Sequence, residues 1–226
     1  PAPDSLVRDY LDELTVLAGQ LGTQLLIGIL THDEERDEYR NSLLTLGEPT
    51  GAYHKRHLVP FSEYFPLPIL NRYDFGQSNF SAGTRPGLFD QAGVPFGVLI
   101  CFESIFPGPA RDLSRQGARY LVNITNDQWF GDSAAPVQHF QMNVLRAIET
   151  RMGMARAANT GISAMITPHG MVSASTRTFV QTNLVAPVEL GSGPTFYTRH
   201  GDWVLGAAGG LLLLFLAAAL RRGRGR

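Results

Sequence analysis

The C-terminal part of the sequence holds a run of 18 residues without a charge, from Trp203 to Leu220. A run of this length is near the lower limit for an α-helix that crosses the hydrocarbon core of a bilayer. Asp202 precedes the run, and four of the six residues over 221–226 are Arg. Because basic flanks favour the cytoplasmic side, the pattern predicts a transmembrane helix over 203–220 and a basic cytoplasmic tail over 221–226. The alternative is a buried hydrophobic helix.

The rest of the chain has the composition of a folded domain, with an apolar fraction of 44% in the whole sequence. Removing the four tail Arg from the net charge of −1 leaves −5 for residues 1–220, which argues against nucleic acid as a partner. The single Cys excludes an internal disulfide and a Cys-rich zinc site. The sequence opens on Pro-Ala-Pro-Asp, with neither Met nor an export signal, and we expect a C-terminal fragment.

Apolar periodicity and turn residues predict alternating strands and helices, which indicates α/β layers. The predicted helices cover Ser5–Gly22, Pro109–Gly117 and Pro136–Ala158. The predicted strands cover Gln24–Leu30, Asn41–Leu46, Ala52–His54, Val94–Cys101, Tyr120–Thr125, Ile162–Thr167, Met171–Thr176 and Thr182–Val188. One face of the first helix is expected to carry Leu6, Tyr10, Leu14, Leu17 and Leu21. The inward face of the long third helix is expected to carry Val137, Phe140, Val144, Leu145, Ile148 and Met152.

Two loops stand out between these elements. His32–Arg40 reads as a charged turn, and Leu58–Gly87 is too rich in Pro and Gly for regular elements. Long loops of this kind usually serve a function. The apolar and aromatic stretch Phe61–Phe80 within it is expected either to dip into a membrane interface or to pack on the domain as a lid.

Cys101 and Lys55 are the first candidates for chemistry. Cys101 closes an apolar strand, a position from which a nucleophile projects beyond the sheet edge while the next backbone N–H faces a developing oxyanion. Lys55 is the only Lys among 19 basic residues, which suggests a role that the planar, permanently charged Arg does not fill. The alternatives are a small buried thiol and a chance surface Lys.

Further polar residues are expected near these two. The string Asn123–Gly131 begins at a strand end, so Asn126 and Trp129 are predicted to border Cys101. None of the six His has a metal-like spacing with a carboxylate partner, and no metal site is predicted. A Cys–His dyad stays possible, ranked below an arrangement of Lys and a carboxylate.

Taken together, these strings resemble the carbon–nitrogen hydrolase (nitrilase) superfamily, and more finely its membrane-bound apolipoprotein N-acyltransferases. The matching strings are YHKRHLVPFSEYFP, ICFESIFP, NITNDQWFG, HFQMNVLRAIETR, RAANTGISA and TRHGDW. The resemblance covers essentially the whole chain. It implies a nitrilase-like αββα sandwich over 1–198 that lacks its first strands, a juxtamembrane link over 199–202, and then the transmembrane helix.

The resemblance also implies residue roles. Cys101 would be the nucleophile of a Glu-Lys-Cys triad, Lys55 would stabilise the tetrahedral intermediates, and Glu63 would be a second essential carboxylate. Phe102, often Tyr in the family, and Glu103 would shape the site. The family's general-base Glu lies in a W-P-E string, and this chain contains no such string.

The implied activity moves an acyl chain from a phospholipid to the N-terminal amine of a diacylglyceryl-cysteine lipoprotein through a Cys thioester. It implies no cofactor, a bacterial inner-membrane location with residues 1–202 on the periplasmic face, and a monomer. Two alternatives remain open. One is a membrane-tethered amidase, in which water replaces the amine. The other is a non-catalytic remnant that binds lipid or a partner.

Overall fold

The computed structural model describes residues 4–67 and 79–223. The side chain of Leu6, the centre of the loop Phe61–Phe80 and the tail residues 224–226 lie outside the described residues. The described helices are α1 (Asp4–Gln20), α2 (Pro107–Arg115), α3 (Ala135–Thr150), α4 (Phe196–His200) and α5 (Trp203–Gly223). The described strands are β1 (Leu25–Asp33), β2 (Glu38–Leu46), β3 (Gly51–His54), β4 (Gly87–Gln91), β5 (Val94–Ile100), β6 (Tyr120–Thr125), β7 (Gly153–Ala158), β8 (Ala164–Ile166) and β9 (Val172–Ser175).

The first sheet is antiparallel, with strand order β1-β2-β3. Its first two strands pair without interruption from Leu25 opposite Leu46 to Asp33 opposite Glu38. The prediction of a turn over the whole of His32–Arg40 was therefore wrong. Stacking of His32 on Tyr39, with ring centroids 4.2 Å apart, extends the ladder almost to the hairpin tip.

The second sheet has six strands in the order β4-β5-β6-β7-β8-β9. Strands β5, β6 and β7 are parallel, so their carboxyl ends lie at one edge. The predicted helix over Pro136–Ala158 was wrong beyond Thr150, because Arg151 takes a left-handed conformation (φ 54°) and β7 pairs with its neighbours. The predicted strand over Thr182–Val188 was also wrong, and β4 was missed.

The two sheets face each other across one apolar core, and a second core lies beneath the helices. The inter-sheet core joins Leu43 and Tyr53 of the first sheet to Phe96, Val98, Ile100, Tyr120 and Val122 of the second. The other core joins the second sheet to α2 and α3 through Leu99, Leu113, Leu121, Phe140 and Met154. With α1 against β2 on the opposite side, the described chain is an αββα sandwich, as predicted.

Helix α3 buries a polar stripe rather than the apolar stripe that its periodicity predicted. His139, Asn143, Arg146 and Thr150 are buried together with Phe140. By contrast, the residues predicted to point inward at 137, 145 and 148 are exposed. The helix therefore faces the sheet edge with groups that form hydrogen bonds.

Helix α5 is the one helix in residues 4–67 and 79–223 whose length and composition would allow it to cross a membrane. None of its apolar span is buried against the rest of the described chain. At about 1.5 Å per residue it is roughly 30 Å long, close to the thickness of a bilayer core. The preceding α4 is tied to α2, because Arg115 Nε donates to the Thr198 carbonyl at 2.7 Å.

Candidate active site

Cys101 lies immediately after β5, at the carboxyl edge of the parallel strands. It opens a short 3₁₀ turn over Cys101–Ile105, which we call the Cys turn. Its φ of 50° lies in the left-handed region, which costs an ordinary residue about 1–2 kcal/mol. The side chain is half-buried and unpaired with any other Cys, since the sequence has only one. The turn thus presents a free thiol at the sheet edge where sequence analysis expected one.

Lys55 follows β3 and is only 1% exposed. Its ammonium donates to both carboxylate oxygens of Glu63, at 2.9 and 2.7 Å. Glu63 also accepts from the Asn41 side chain at 3.0 Å and from the Val59 backbone N–H at 2.8 Å. An ammonium has three N–H donors, so the pairing with Glu63 leaves Lys55 one further donor for an anion.

Glu103 joins the Cys turn to the segment around Lys55, residues 53–66, which we call the lysine segment. Its carboxylate is fully buried, and its Oε1 accepts from the Tyr53 hydroxyl at 2.8 Å and from the backbone N–H groups of Arg56 and His57 at 2.8 and 3.1 Å. Its Oε2 accepts from the Ile100 N–H at 2.8 Å. The neighbours Ile100 and Arg56 of the two candidate residues thus donate to the same carboxylate, so Glu103 ties the backbone at Cys101 to the backbone at Lys55.

The electrostatics agree with a charged Glu103. Burial alone raises its pKa, but the His57 side chain, the Ile100 N–H and the Tyr53 hydroxyl together lower it below the ordinary value. His57 Nδ1 lies 3.7 Å from Oε1, so its contribution is a close charge–dipole contact and not a full hydrogen bond. Burial and the nearby carboxylate raise the pKa of Tyr53 far above its usual range, so the phenol remains a donor.

A second buried network lies behind the Cys turn. Asp127 accepts from His139 Nδ1 at 3.0 Å and from Arg156 at 2.7 Å. His139 Nε2 lies 3.1 Å from the carbonyl oxygen of Cys101 and 3.1 Å from Ser104 Oγ. Burial raises the pKa of Asp127, but the His139 hydrogen bond and the Arg156 charge lower it by more, so the net shift of the pKa is downward.

Sequence reasoning missed this network. It weighed the His residues as metal ligands or as a thiol base and singled out neither His139 nor Arg156. One signal could have found it. His139, Asn143, Arg146 and Thr150 recur at helical spacing, which is unusual for a face that packs on a sheet.

The other predicted site residues lie around the Cys turn with different environments. The Asn126 side chain caps the turn after β6, accepting from Gln128 N–H at 3.1 Å and from Asn159 at 3.2 Å. Trp129 is 82% exposed, so it does not pack into the buried network. The Phe102 ring packs edge-on against Phe106, with centroids 5.1 Å apart.

An apolar cavity of about 490 Å³ opens beside the Cys turn. Phe102 and Phe106 form one wall, and residues of the lysine segment and its loop form the other, notably Leu58, Tyr64 and Phe80. A more polar cavity of about 590 Å³ lies between Asn159 and Thr182. Among the described residues, no group of three or more His, Cys, Asp or Glu side chains is placed to hold a metal ion.

Sequence comparison finds close relatives with one common name. The chain is 41% identical to the apolipoprotein N-acyltransferase of Geobacter metallireducens over 94% of this chain and 43% of the relative. It is 37% identical to the apolipoprotein N-acyltransferase of Methylococcus capsulatus over 96% of this chain and 44% of the relative. The chain thus spans less than half the length of these two relatives.

Solved structures of the same fold are more distant in sequence. A carbon–nitrogen hydrolase from Helicobacter pylori superposes with a TM-score of 0.63 at 14% identity, over 83% of this chain and 67% of that one. Nit3 of Saccharomyces cerevisiae, a nitrilase superfamily member, gives 0.62 at 20% identity, over 76% and 62%. The carbon–nitrogen hydrolase family model matches residues 6–193. Since that match covers most of the chain, the protein belongs to the carbon–nitrogen hydrolase family.

Proposed function

We propose that this chain carries the catalytic centre of an N-acyltransferase that moves an acyl chain from a phospholipid to the N-terminal amine of a diacylglyceryl-cysteine lipoprotein. The observation that carries the proposal is a half-buried thiol braced through Glu103 to the segment of a buried Lys, beside an apolar cavity. The relatives named apolipoprotein N-acyltransferase support this choice of substrates over a small amide.

In the first half-reaction the Cys101 thiolate attacks the ester carbonyl of the phospholipid. The C–S bond forms, the carbonyl oxygen becomes an oxyanion, and the C–O bond then breaks to release a lysophospholipid, which takes up a proton. The third N–H of Lys55 and the backbone N–H of Phe102 are the donors proposed for the oxyanion. Such preorganised donors usually supply the largest share of the rate enhancement.

In the second half-reaction the lipoprotein amine attacks the thioester. The C–N bond forms, the C–S bond breaks, and the amine gives up a proton as the thiolate is restored, which is covalent catalysis in two steps. The thiol and the amine both need a base. The family resemblance assigns that role to a Glu in a W-P-E string, and residues 1–226 contain no such string.

The membrane fits these substrates, because both are lipids. Helix α5 would anchor the site at the bilayer surface, and the cavity beside Phe102 would take the first part of an acyl chain. By the positive-inside rule the Arg residues after the helix lie in the cytoplasm. The domain then faces the periplasm of a bacterial inner membrane, and the enzyme acts there as a monomer.

Intact mass spectrometry tests the proposal. The detergent-solubilised chain is incubated with phospholipid, with Cys101→Ser as control, beside the same chain extended upstream through a W-P-E string. We expect a hydroxylamine-labile adduct of one acyl chain, absent in the control, at least in the extended chain.

The pattern of adducts separates the alternatives. An adduct in both chains would mean that the upstream Glu is dispensable for acylation. An adduct confined to the extended chain would assign the proton transfer to that Glu. If neither chain forms an adduct but ammonia is released from small amides, the amidase replaces the acyltransferase; if neither reaction occurs, a non-catalytic lipid- or partner-binding role replaces it.

A further inference from the structure

The backbone carbonyl of Cys101 has two polar contacts inside the domain. Ser104 Oγ donates to it at 3.0 Å, and His139 Nε2 lies 3.1 Å from it, within hydrogen-bond distance. Most residues at φ 50° would relax to a right-handed conformation, because the left-handed one costs about 1–2 kcal/mol. Two hydrogen bonds of about 1 kcal/mol each are enough to offset that strain.

His139 is itself fixed before it reaches the Cys turn. It is 6% exposed, and its Nδ1 is 3.0 Å from Asp127 Oδ1. Asp127 is held in turn by Arg156 at 2.7 Å, and Arg156 Nε donates to the Ile162 carbonyl at 3.0 Å. A continuous buried chain of contacts thus runs from β7 through α3 to the Cys turn.

This geometry does not fit a role for His139 as the thiol base. Oxygen acceptors lie against both ring nitrogens, Asp127 on one side and the Cys101 carbonyl on the other. Neither nitrogen is left to take the thiol proton, so a Cys–His dyad through this residue does not form. The network must act on the backbone of the Cys turn.

The effect on the backbone follows from the planarity of the peptide bond. In a trans peptide the C=O and the N–H point in opposite directions. Holding the Cys101 carbonyl towards His139 therefore turns the N–H of Phe102 the opposite way, outward from α3. That N–H is the backbone donor proposed above for the oxyanion.

We propose that His139, held by Asp127 and Arg156, is a positioning residue that fixes the peptide between Cys101 and Phe102 so that the Phe102 N–H meets the oxyanion. The inference rests on the proposed acyl-transfer function. It makes His139 necessary for acylation of the thiol and dispensable for reactions of the thiol that form no oxyanion.

Two reactions of the single thiol separate these requirements. Acylation by a p-nitrophenyl ester passes through an oxyanion, whereas alkylation by iodoacetamide does not. We expect His139→Leu to slow acylation about 10- to 100-fold, the size of effect seen when a group that orients a catalytic ligand is removed. Alkylation should change less than about 3-fold, because it forms no oxyanion for the Phe102 N–H to stabilise.

Three further variants guard against a purely structural effect. His139→Gln keeps an N–H donor and should recover most of the acylation rate. Ser104→Ala removes the other donor and should slow acylation by a smaller factor. Thr150→Ala, eleven residues or about 16 Å along the same helix from His139, removes a buried hydrogen bond of 2.7 Å to the Arg146 carbonyl and should leave both rates unchanged.

The outcomes are distinct. Equal loss of acylation and alkylation in His139→Leu, or wild-type acylation in that variant, would overturn the positioning role. In the chain extended upstream through a W-P-E string, acylation by the aryl ester but not by phospholipid would refute the proposed function and leave the positioning role supported by the variant series. If neither ester acylates that extended chain, both proposals are refuted.

Discussion

Replacing Glu103 with Gln removes the charge and one acceptor oxygen of a buried carboxylate and leaves the size of the side chain almost unchanged. The carboxylate accepts hydrogen bonds on both oxygens, three on Oε1 and one on Oε2. A Gln side chain has one acceptor oxygen. In its better orientation the oxygen keeps the three donors, and the NH₂ group then faces the Ile100 N–H, donor against donor.

The expected cost follows from that arrangement. A hydrogen bond to a charged group contributes about 1.5–3 kcal/mol, and an orphaned buried donor costs about 1–3 kcal/mol. Since the two overlap at the Ile100 N–H, we expect Glu103→Gln to lower the free energy of unfolding by about 3 kcal/mol, roughly a 100-fold change in the folding equilibrium. Tyr53→Phe removes one hydrogen bond to the same charged group and orphans no buried backbone group, so a loss at the lower end of that range, about 1.5 kcal/mol, is expected.

Equilibrium unfolding in urea of the full chain in detergent, followed by circular dichroism, measures both variants. Tyr53→Phe serves as the matched control, because it removes a contact of the same carboxylate, at 2.8 Å, without changing its charge. If Glu103→Gln costs no more than Tyr53→Phe, the carboxylate does not brace the Cys turn against the lysine segment, and the reasoning is refuted.

Three other predictions test neighbouring parts of the site. Gly161→Ala places a Cβ 2.1 Å from Asp127 Oδ2, so it should destabilise the chain by about 1–3 kcal/mol in the same unfolding assay; Gly108→Ala, with nothing within 4 Å, is the control and should change little. The pKa values of Glu103 and Asp127 are both lowered, so their contribution to stability is complete above their ordinary values of 4.5 and 3.8 and is lost as the pH falls through the lower folded values; urea midpoints measured down to pH 2 should fall steeply, and Asp127→Asn should flatten part of that slope, whereas an unchanged slope would contradict the assignment. Lys55→Arg keeps the charge but puts a planar fork into a pocket that leaves 1% of the Lys exposed; we expect at least a 100-fold slower acyl adduct by intact mass, and a rate near wild type would show that any cation suffices.

The layers could be predicted from the sequence because local strings carry that information, and the same strings pointed to Cys101, Lys55 and Glu63 as candidate site residues. The apolar run that ends in Cys101 is short, and its length favours a buried strand over a helix. The family resemblance implied that Lys55 and Glu63 belong to one site, and the structure places their side chains in direct contact. Their catalytic roles stay predictions until the variants are measured.

The errors have physical causes in tertiary contacts. The string Gly153–Ala158 is rich in Ala and Met, which favours a helix by propensity. It forms strand β7 because it pairs with β6 on one side and with β8 on the other. The run Thr182–Val188 has apolar residues but also Pro187, which donates no ladder hydrogen bond. Val185 within it is 95% exposed, whereas Val188 packs against the inter-sheet core, so the run lies on the domain without pairing to a strand.

The Cys turn explains how one short string can serve both sides of the domain. Over C-F-E-S, the thiol of Cys101 lies at the sheet edge, the carboxylate of Glu103 reaches the lysine segment, and Ser104 contacts His139. Cys101, with its strained φ, thus lies between the Glu103 carboxylate on one side and the buried His139 imidazole on the other. Because neither contact involves the thiol, the sulfur remains available for chemistry while its backbone is fixed.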